Sequence, residues 1–502
     1  MRSTSAEGSG PLREKKPGPS PVSGPSREKR QRTVSPPGNS SRSASPRARK
    51  ASPPRKAPEP EASLSDYIPQ NPPFFVVFVA AFALMVLIGA ALLWIPKSSV
   101  SGDYTSFSDA LFTATSAVSC TGLVVVDTAA HWSHFGQAVI LVLIQFGGFG
   151  FMLISSYLLI VLGERVNLLD FRFSDAIDAY SRPACVKFAL QTIGLTLLFE
   201  GVGILVLRHR FTGDGSMWDA VFHSISAFNN AGFTIMDPVA IEHLYSDTYL
   251  LTTIAVLVIL GGLSAPVLIN LLARRRWAGL SLNAKIALMA SVVLLAGGML
   301  GILVMEYGND GTLGPMSVPQ KIVNAFFCSA NTRTAGFSAM SVGNFGFQAL
   351  ALVMVLMFIG GVAGSTAGGI KVNSFAVLLL TVRSYIMGHH RVHAFGKQIP
   401  EARVHEAITV FALSILVVCF PVFILAFTED LPKLDLLFES FSAFSTVGLS
   451  TGVTPALSMA GRLVLAVSMF VGRLGPLTIV LAISERRRSV EAFEPEESVK
   501  VW

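Results

Sequence analysis

One pattern occurs four times in these 502 residues, and it restricts the fold more than any other feature. A Phe closing a short apolar helix is followed nine or ten residues later by a Gly. About 25 residues on, a glycine-rich break interrupts a long apolar run. The copies read SDALFTATSAVSCTGL (Ser108 to Leu123), WDAVFHSISAFNNAGF (Trp218 to Phe233), VNAFFCSANTRTAGF (Val323 to Phe337) and LDLLFESFSAFSTVGL (Leu434 to Leu449). The later breaks read QFGGFG, ILGGLS, FIGGVA and FVGRLG. A period of about 110 residues marks one structural unit used four times. Four copies of a unit in one chain predict a ring about a central axis.

Composition supplies the solvent of that ring. Hydrophobic residues make up 51% of the chain, charged residues only 14%, and mean hydropathy is +0.56. Several apolar stretches are long enough to cross roughly 30 Å of hydrocarbon. The chain therefore reads as an all-α polytopic membrane protein, and an ion pathway along the ring axis is expected. Residues 1–66 hold 14 Lys and Arg against 6 Asp and Glu, which accounts for the formal net charge of +7. The basicity belongs to this Pro- and Ser-rich segment and gives no ground for a nucleic-acid partner. With few aliphatic residues before Leu64, the segment reads as a disordered cytoplasmic tail, a topology signal or a polybasic arm for anionic lipid. It does not read as a signal peptide, because no apolar core follows its charges closely. Cys120, Cys185, Cys328 and Cys419 are far apart, and none has metal-ligand spacing.

Each unit reads as span, half-helix, glycine loop, span. The predicted boundaries are 73–96, 106–118 and 135–162; then 185–207, 217–228 and 248–272; then 284–306, 320–331 and 347–386; then 404–428, 434–444 and 461–483. Eight spans and four re-entrant half-helices result, in repeats covering 70–165, 185–276, 284–388 and 404–485, with a C-terminal tail at 486–502. Loops between repeats carry Arg165, Arg172 and Arg182; Arg274, Arg275, Arg276 and Lys285; Arg383, Arg391, Lys397 and Arg403; and Arg486, Arg487 and Arg488. Loops within repeats carry only Lys97, Arg208, Arg210 and Lys433. This asymmetry places both termini in the cytoplasm.

Non-helical backbone at membrane depth is tolerated only where protein covers it or water lines it. Loop carbonyls can there replace an ion's hydration shell. Glycine permits the positive φ that turns a carbonyl inward and leaves no side chain in the way. The residues in that position are Gly122, Gly232, Gly336 and Gly448. Each half-helix aims its partly negative C-terminal end at its loop, which favours cations. No loop contains Asp or Glu, so a monovalent ion suits it better than Ca²⁺. Four structural turns in another kind of transporter are the competing reading.

The loops and breaks together resemble the Trk/Ktr/HKT superfamily of K⁺ and Na⁺ transporters over about residues 70–485. Cys120-Thr121-Gly122-Leu123, Asn230-Ala231-Gly232-Phe233, Thr332 to Phe337 (containing Thr334, Ala335 and Gly336) and Ser445 to Gly452 (containing Thr446, Val447 and Gly448) are similar to its four filter segments. Eight spans resemble its Ktr-type membrane subunit. In this superfamily a Ser at the first filter glycine accompanies Na⁺ preference, so Gly122 implies K⁺. A Na⁺-conducting or non-selective member is the alternative. The resemblance further implies a homodimer with one pore per subunit and a cytosolic ring of nucleotide-binding regulatory subunits, and it leaves room for stimulation by Na⁺. No cofactor is expected in this chain, and K⁺ is cargo. The segment Ser489–Trp502 is a candidate interface.

Two features suggest a gate. The third repeat carries Gly360, Gly361, Gly364, Ser365, Thr366, Gly368, Gly369 and Lys371 inside a run about twice the length one crossing needs. Each glycine costs about 1 kcal/mol relative to alanine in a helix, so two helices with an unwound loop at 360–371 are predicted. The resemblance implies that this loop gates. A kinked helix is the alternative. Arg473 lies mid-span and matches Gly148, Gly262 and Gly361 in the other repeats, so it should point into the pathway as an electrostatic barrier touching the loop. Otherwise carbonyls or Glu439 hold it structurally. Lys371 is expected to snorkel toward the cytoplasm, and Arg333 to pair with Asp435 or Glu439. His389, His390 and His393 raise a metal site or membrane enzyme as a rival, but no HExxH, GxSxG or Walker loop accompanies them.

Overall fold

The computed structural model describes residues 74–161, 182–211, 216–236, 244–274, 276–389 and 391–475. These all fall in one unit, Ala62–Trp502. Expectations for residues 1–66, Arg165, Arg172, Arg275, His390, the fourth trailing span beyond Gly475 and the segment 486–502 lie outside the described residues.

The chain is mostly helical, and its order repeats. The first unit contains α1 (Phe74–Trp94), α2 (Phe107–Val118) and α3 (His134–Val161). The second contains α4 (Arg182–Arg208), α5 (Ser216–Phe228), α6 (Thr248–Gly262) and α7 (Ala265–Arg274). The third contains α8 (Leu282–Glu306), α9 (Val318–Asn331), α10 (Phe347–Phe358) and α11 (Val372–Ile386). The fourth contains α12 (Glu401–Thr428), α13 (Lys433–Phe444) and α14 (Met459–Leu474). A short hairpin, β1 (His393–Ala394) with β2 (Lys397–Gln398), joins units three and four.

The leading helix of each unit is apolar along its length and turns large side chains outward. Leu84, Leu190, Val292 and Phe420 are each more than half exposed. Among the described residues four helices are each long and apolar enough to cross a membrane, the four leading helices, and the pair α6 and α7 is so if taken as one bent span. Outward apolar faces of this kind need hydrocarbon as solvent. This is a multi-pass membrane protein.

Each leading helix packs on the short helix of its own unit. The trailing helix of each unit then packs on the short helix of the next: α3 on α5, α6 on α9, α10 on α13, and α14 back on α2. The order closes on itself. Serines cap helices where the chain re-enters, Ser281 at α8 and Ser458 at α14, each accepting from the amide three residues on. A salt bridge between Arg462 on α14 and Asp109 on α2 fastens the closing contact.

One span differs from its expected form, and the glycine breaks differ among the units. The span predicted as 248–272 is two helices, α6 and α7, meeting at 99°. In the first unit α3 runs unbroken through QFGGFG, as the span expected at 135–162 requires, and in the fourth α14 passes Gly472 and Arg473 and ends at Leu474, inside FVGRLG, with Gly475 at φ 82°. Glycine serves close approach there. A Cβ on Gly147, Gly261 or Gly472 would lie 2.0, 1.8 or 1.7 Å from the carbonyl oxygen of Val118, Phe228 or Phe444, the last residue of a short helix. Among the described residues the third unit's run opens into a loop, residues 359–371, between α10 and α11.

Candidate functional site

Where the short helices end, the four units repeat one backbone conformation. Cys120, Asn230, Thr334 and Thr446 have φ of 51°, 54°, 66° and 50°. Two residues later Gly122, Gly232, Gly336 and Gly448 have φ of 89°, 70°, 74° and 88°. Left-handed non-glycine residues are uncommon, so four in register point to one required shape. In units one, two and four the turn is held by two bonds. Thr121, Ala231 and Val447 donate their amides to Ser116, Ser226 and Ser442 carbonyls five residues back. Cys120, Asn230 and Thr446 donate to Ala117, Ala227 and Ala443 carbonyls. This is a Schellman closure with a non-glycine residue in the left-handed place. In unit three Ala335 reaches Asn331 only four residues back, so that turn is one residue shorter.

The glycines abut in cyclic order. A Cβ on Gly122 would lie 2.4 Å from the Ala231 oxygen, one on Gly232 2.6 Å from Ala335, one on Gly336 2.4 Å from Val447, and one on Gly448 2.0 Å from Thr121. Each loop therefore presses on the carbonyl that precedes the next unit's glycine. Any side chain would open the ring, which is why glycine is required. The twelve residues proposed from sequence for a filter are brought together here: Cys120, Thr121, Gly122, Asn230, Ala231, Gly232, Thr334, Ala335, Gly336, Thr446, Val447 and Gly448. The ring is dry on its protein side, since Thr121, Asn230, Ala231, Thr334, Ala335, Thr446 and Val447 are fully buried.

Beneath the left-handed residues lies the 359–371 loop. Its ends are clipped by Gly360 N to Ile370 O at 2.9 Å and Ile370 N to Phe358 O at 3.2 Å. Val362 N donates to Gly262 O at 3.1 Å, and the Thr366 hydroxyl donates to Gly261 O at 3.0 Å and toward Asn230 Oδ1 at 3.3 Å. A Cβ on Gly368 would lie 2.1 Å from Thr446 Oγ1, and one on Gly360 3.4 Å from the Thr334 methyl. Arg473 completes the layer, 1% exposed. Its guanidinium donates to the carbonyls of Thr366 and Gly147, the latter at 3.0 Å, and lies 3.5 Å from Cys120 Sγ. All four left-handed side chains thus face the loop or Arg473. The hydroxyls of Thr334 and Thr446 are buried with no hydrogen-bond partner.

Several assignments differ from the sequence reading. Arg473 touches the loop as expected and is held by carbonyls, whereas Glu439, its alternative partner, accepts from Ser450 Oγ, Thr451 N and Thr454 Oγ1. Arg333 pairs with neither Asp435 nor Glu439. It reaches back to α8 and donates to Ser291 O at 3.0 Å. Lys371 does not extend outward, since its Nζ folds onto Ala367 O inside the loop at 2.5 Å. His389 and His393 are exposed, and no three His, Cys, Asp or Glu among the described residues gather as metal ligands.

Other residues of the site escaped the sequence reading. Ser116 Oγ and Ser442 Oγ accept the amides of Gly122 and Gly448, Asn331 Oδ1 accepts that of Phe337, and Ser226 Oγ donates to Phe233 O. The signal was a polar residue six before the glycine in three repeats and five before it in the third. Glu200, buried on α4, accepts from Gln145 and Asn229 at 3.1 and 2.9 Å and so props the residue beside Asn230. A single carboxylate in an apolar span was its visible mark.

Residues 65–492 match the family described as cation transport protein, TrkH. The chain is 34% identical over 434 residues to the potassium/sodium uptake protein NtpJ of Enterococcus hirae, covering 84% of this chain and 96% of that protein. It is 35% identical over 418 residues to the Ktr system potassium uptake protein B of Bacillus subtilis, covering 82% and 93%. Its fold resembles the crystal structure of the potassium transporter TrkH from Vibrio parahaemolyticus, with TM-score 0.66 at 19% identity over 85% of this chain and 86% of that one. The fourfold helix order, the closed ring of glycine loops and these matches have one meaning: the chain belongs to the TrkH cation transport family.

Proposed function

We propose that this protein is the ion-translocating subunit of a K⁺ uptake system. The observation that carries the reading is the ring, in which four loops meet carbonyl to glycine about one axis. Carbonyl oxygens there can replace the hydration shell of a monovalent cation. The C-terminal ends of α2, α5, α9 and α13 aim at the ring and add their partial negative charge. The relatives, a potassium/sodium uptake protein in Enterococcus and a potassium uptake protein in Bacillus, agree with K⁺ as cargo. Gly122, in place of a serine, supports K⁺ over Na⁺.

In this reading eight spans cross the plasma membrane, four short helices re-enter from outside, and both termini are cytoplasmic. The 359–371 loop then closes the pathway on the cytoplasmic side of the ring, and Arg473 holds it shut through the Thr366 carbonyl. Opening requires the loop to leave Asn230, Thr446 and Arg473. The force for that comes from a separate cytosolic nucleotide-binding subunit, and the membrane subunit works as a homodimer in lipid, with Na⁺ as a stimulating ion. Transport is channel-like, with no chemical step and no cofactor.

Growth of a K⁺-uptake-deficient bacterium in low K⁺ tests the reading, comparing wild type with Gly122→Ser. Wild type should rescue. The serine should abolish rescue or make it Na⁺-sensitive, because its Cβ meets the Ala231 carbonyl. Absence of rescue by wild type, with a cognate regulatory subunit co-expressed, would overturn K⁺ uptake.

A further inference from the structure

The residue that follows the buried Phe of each short helix is Thr113, His223, Cys328 or Glu439. In units two and four this residue reaches the chain leaving the ring. His223 Nε2 lies 2.9 Å from Thr234 Oγ1, and Glu439 Oε1 accepts from Ser450 Oγ at 2.5 Å. Both bonds span 11 residues, and both join the short helix to the residue two past the ring glycine. Glu439 adds the amide of Thr451 at 3.1 Å and the hydroxyl of Thr454 at 2.8 Å. His223 Nδ1 lies 2.7 Å from the Asp219 carbonyl, which can only accept. Nδ1 therefore carries the proton, and Nε2 accepts from the Thr234 hydroxyl. Both side chains are fully buried. Units one and three lack the clasp: the Thr113 hydroxyl is buried without a partner, and Ser338 turns to the Met340 carbonyl.

Units two and four face each other across the ring, as the order of glycine contacts requires. A twofold pair of clasps is thus laid over a fourfold frame, on the side away from the 359–371 loop. We propose that His223 and Glu439 are positioning residues that fix the segments Thr234–Met236 and Ser450–Thr454, and thereby set the affinity with which K⁺ enters the ring. This rests on the transport reading above. Neither residue need touch the ion. Each holds a segment whose backbone shapes the entrance, and Glu439 does so with three hydrogen bonds to one buried carboxylate, the stronger kind.

Two measurements test it. In uptake kinetics with graded K⁺, Glu439→Ala should raise KM by roughly tenfold, the scale of losing charge-assisted hydrogen bonds, with Vmax per molecule little changed. Ser450→Ala and Thr234→Val, which remove the partner hydroxyl and spare the fold, should raise KM by about two- to fivefold. Glu439→Gln should recover part of the loss, because its amide oxygen still accepts. Ser450→Ala added to Glu439→Ala should cost little more. In purified protein, amide exchange at 450–454 should quicken in Glu439→Ala while 337–341 is unchanged. Unchanged KM in Ser450→Ala and Thr234→Val, or unchanged exchange in Glu439→Ala, overturns the clasp. If wild type takes up no K⁺ yet exchange responds as stated, the positioning of the two segments stands, and the transport reading falls together with the affinity role that rests on it.

Discussion

Arg473 joins three units by touching the loop at Thr366, α3 at Gly147 and the first ring segment at Cys120. A guanidinium at mid-membrane costs about 2.5–3.5 kcal/mol unless such contacts repay it. Its place is taken by glycine in the other three repeats, and the barrier role proposed for it rests on that difference. Arg473→Ala should raise K⁺ flux by roughly an order of magnitude, corresponding to about 1.4 kcal/mol less closure, measured as tracer exchange in proteoliposomes. Flux equal to wild type would count against the barrier. The placement of Arg473 near the loop could be reasoned from its register with Gly148, Gly262 and Gly361. The side-chain partner of Arg333 could not, because nothing in the residue order says that α8 passes behind the third loop with the Ser291 carbonyl within reach. Lys371 shows the same limit. Snorkelling is the default for an isolated lysine, but a loop carbonyl at 2.5 Å lies nearer than solvent.

At the scale of elements, the helices were legible because membrane apolarity and glycine leave strong marks. The short helices expected at 106–118 and 434–444 are Phe107–Val118 and Lys433–Phe444. Glycine pairs proved ambiguous, since the same letters serve as a break or as a contact. In QFGGFG the glycines let a trailing helix touch a carbonyl end and stay helical, in FVGRLG Gly472 does so just before the helix ends at Leu474, and FIGGVAGSTAGG, with five glycines, unwinds. The sharp bend between α6 and α7 falls at ILGGLS, but its sharpness had only Ser264-Ala265-Pro266 as a further sign, and a proline near a helix start is easily passed over. Two predictions separate the uses of glycine. Gly472→Ala should overpack the Phe444 carbonyl and lower stability by about 1–3 kcal/mol, read as a lower melting temperature in detergent. Gly368→Ala should instead push the loop from Thr446 and increase K⁺ leak, leaving the melting temperature within a few degrees. A leak-free Gly368→Ala would show that the loop tolerates displacement there.

For the whole molecule, the decisive contacts join the two ends of the helical order. Asp109 and Arg462 are 353 residues apart, as are Cys120 and Arg473. The Asp109–Arg462 pair is mostly shielded, at 17% and 22% side-chain exposure. A double-mutant cycle on Asp109→Asn and Arg462→Gln should give a coupling of about 1 kcal/mol, and both single variants should lose thermal stability. A coupling near zero would mean that α14 and α2 hold together by packing alone. The fourfold plan was visible in the repeats, but the seam was not, because a linear repeat gives no indication whether its ends meet. That seam also has a consequence in time. Chains emerge from the ribosome N-terminus first, and earlier segments ordinarily fold as they appear. Here the Thr121 carbonyl meets its neighbour only when Gly448 arrives. Three units make an open arc, so the closed ring of carbonyls exists only once the last quarter of the chain is in place.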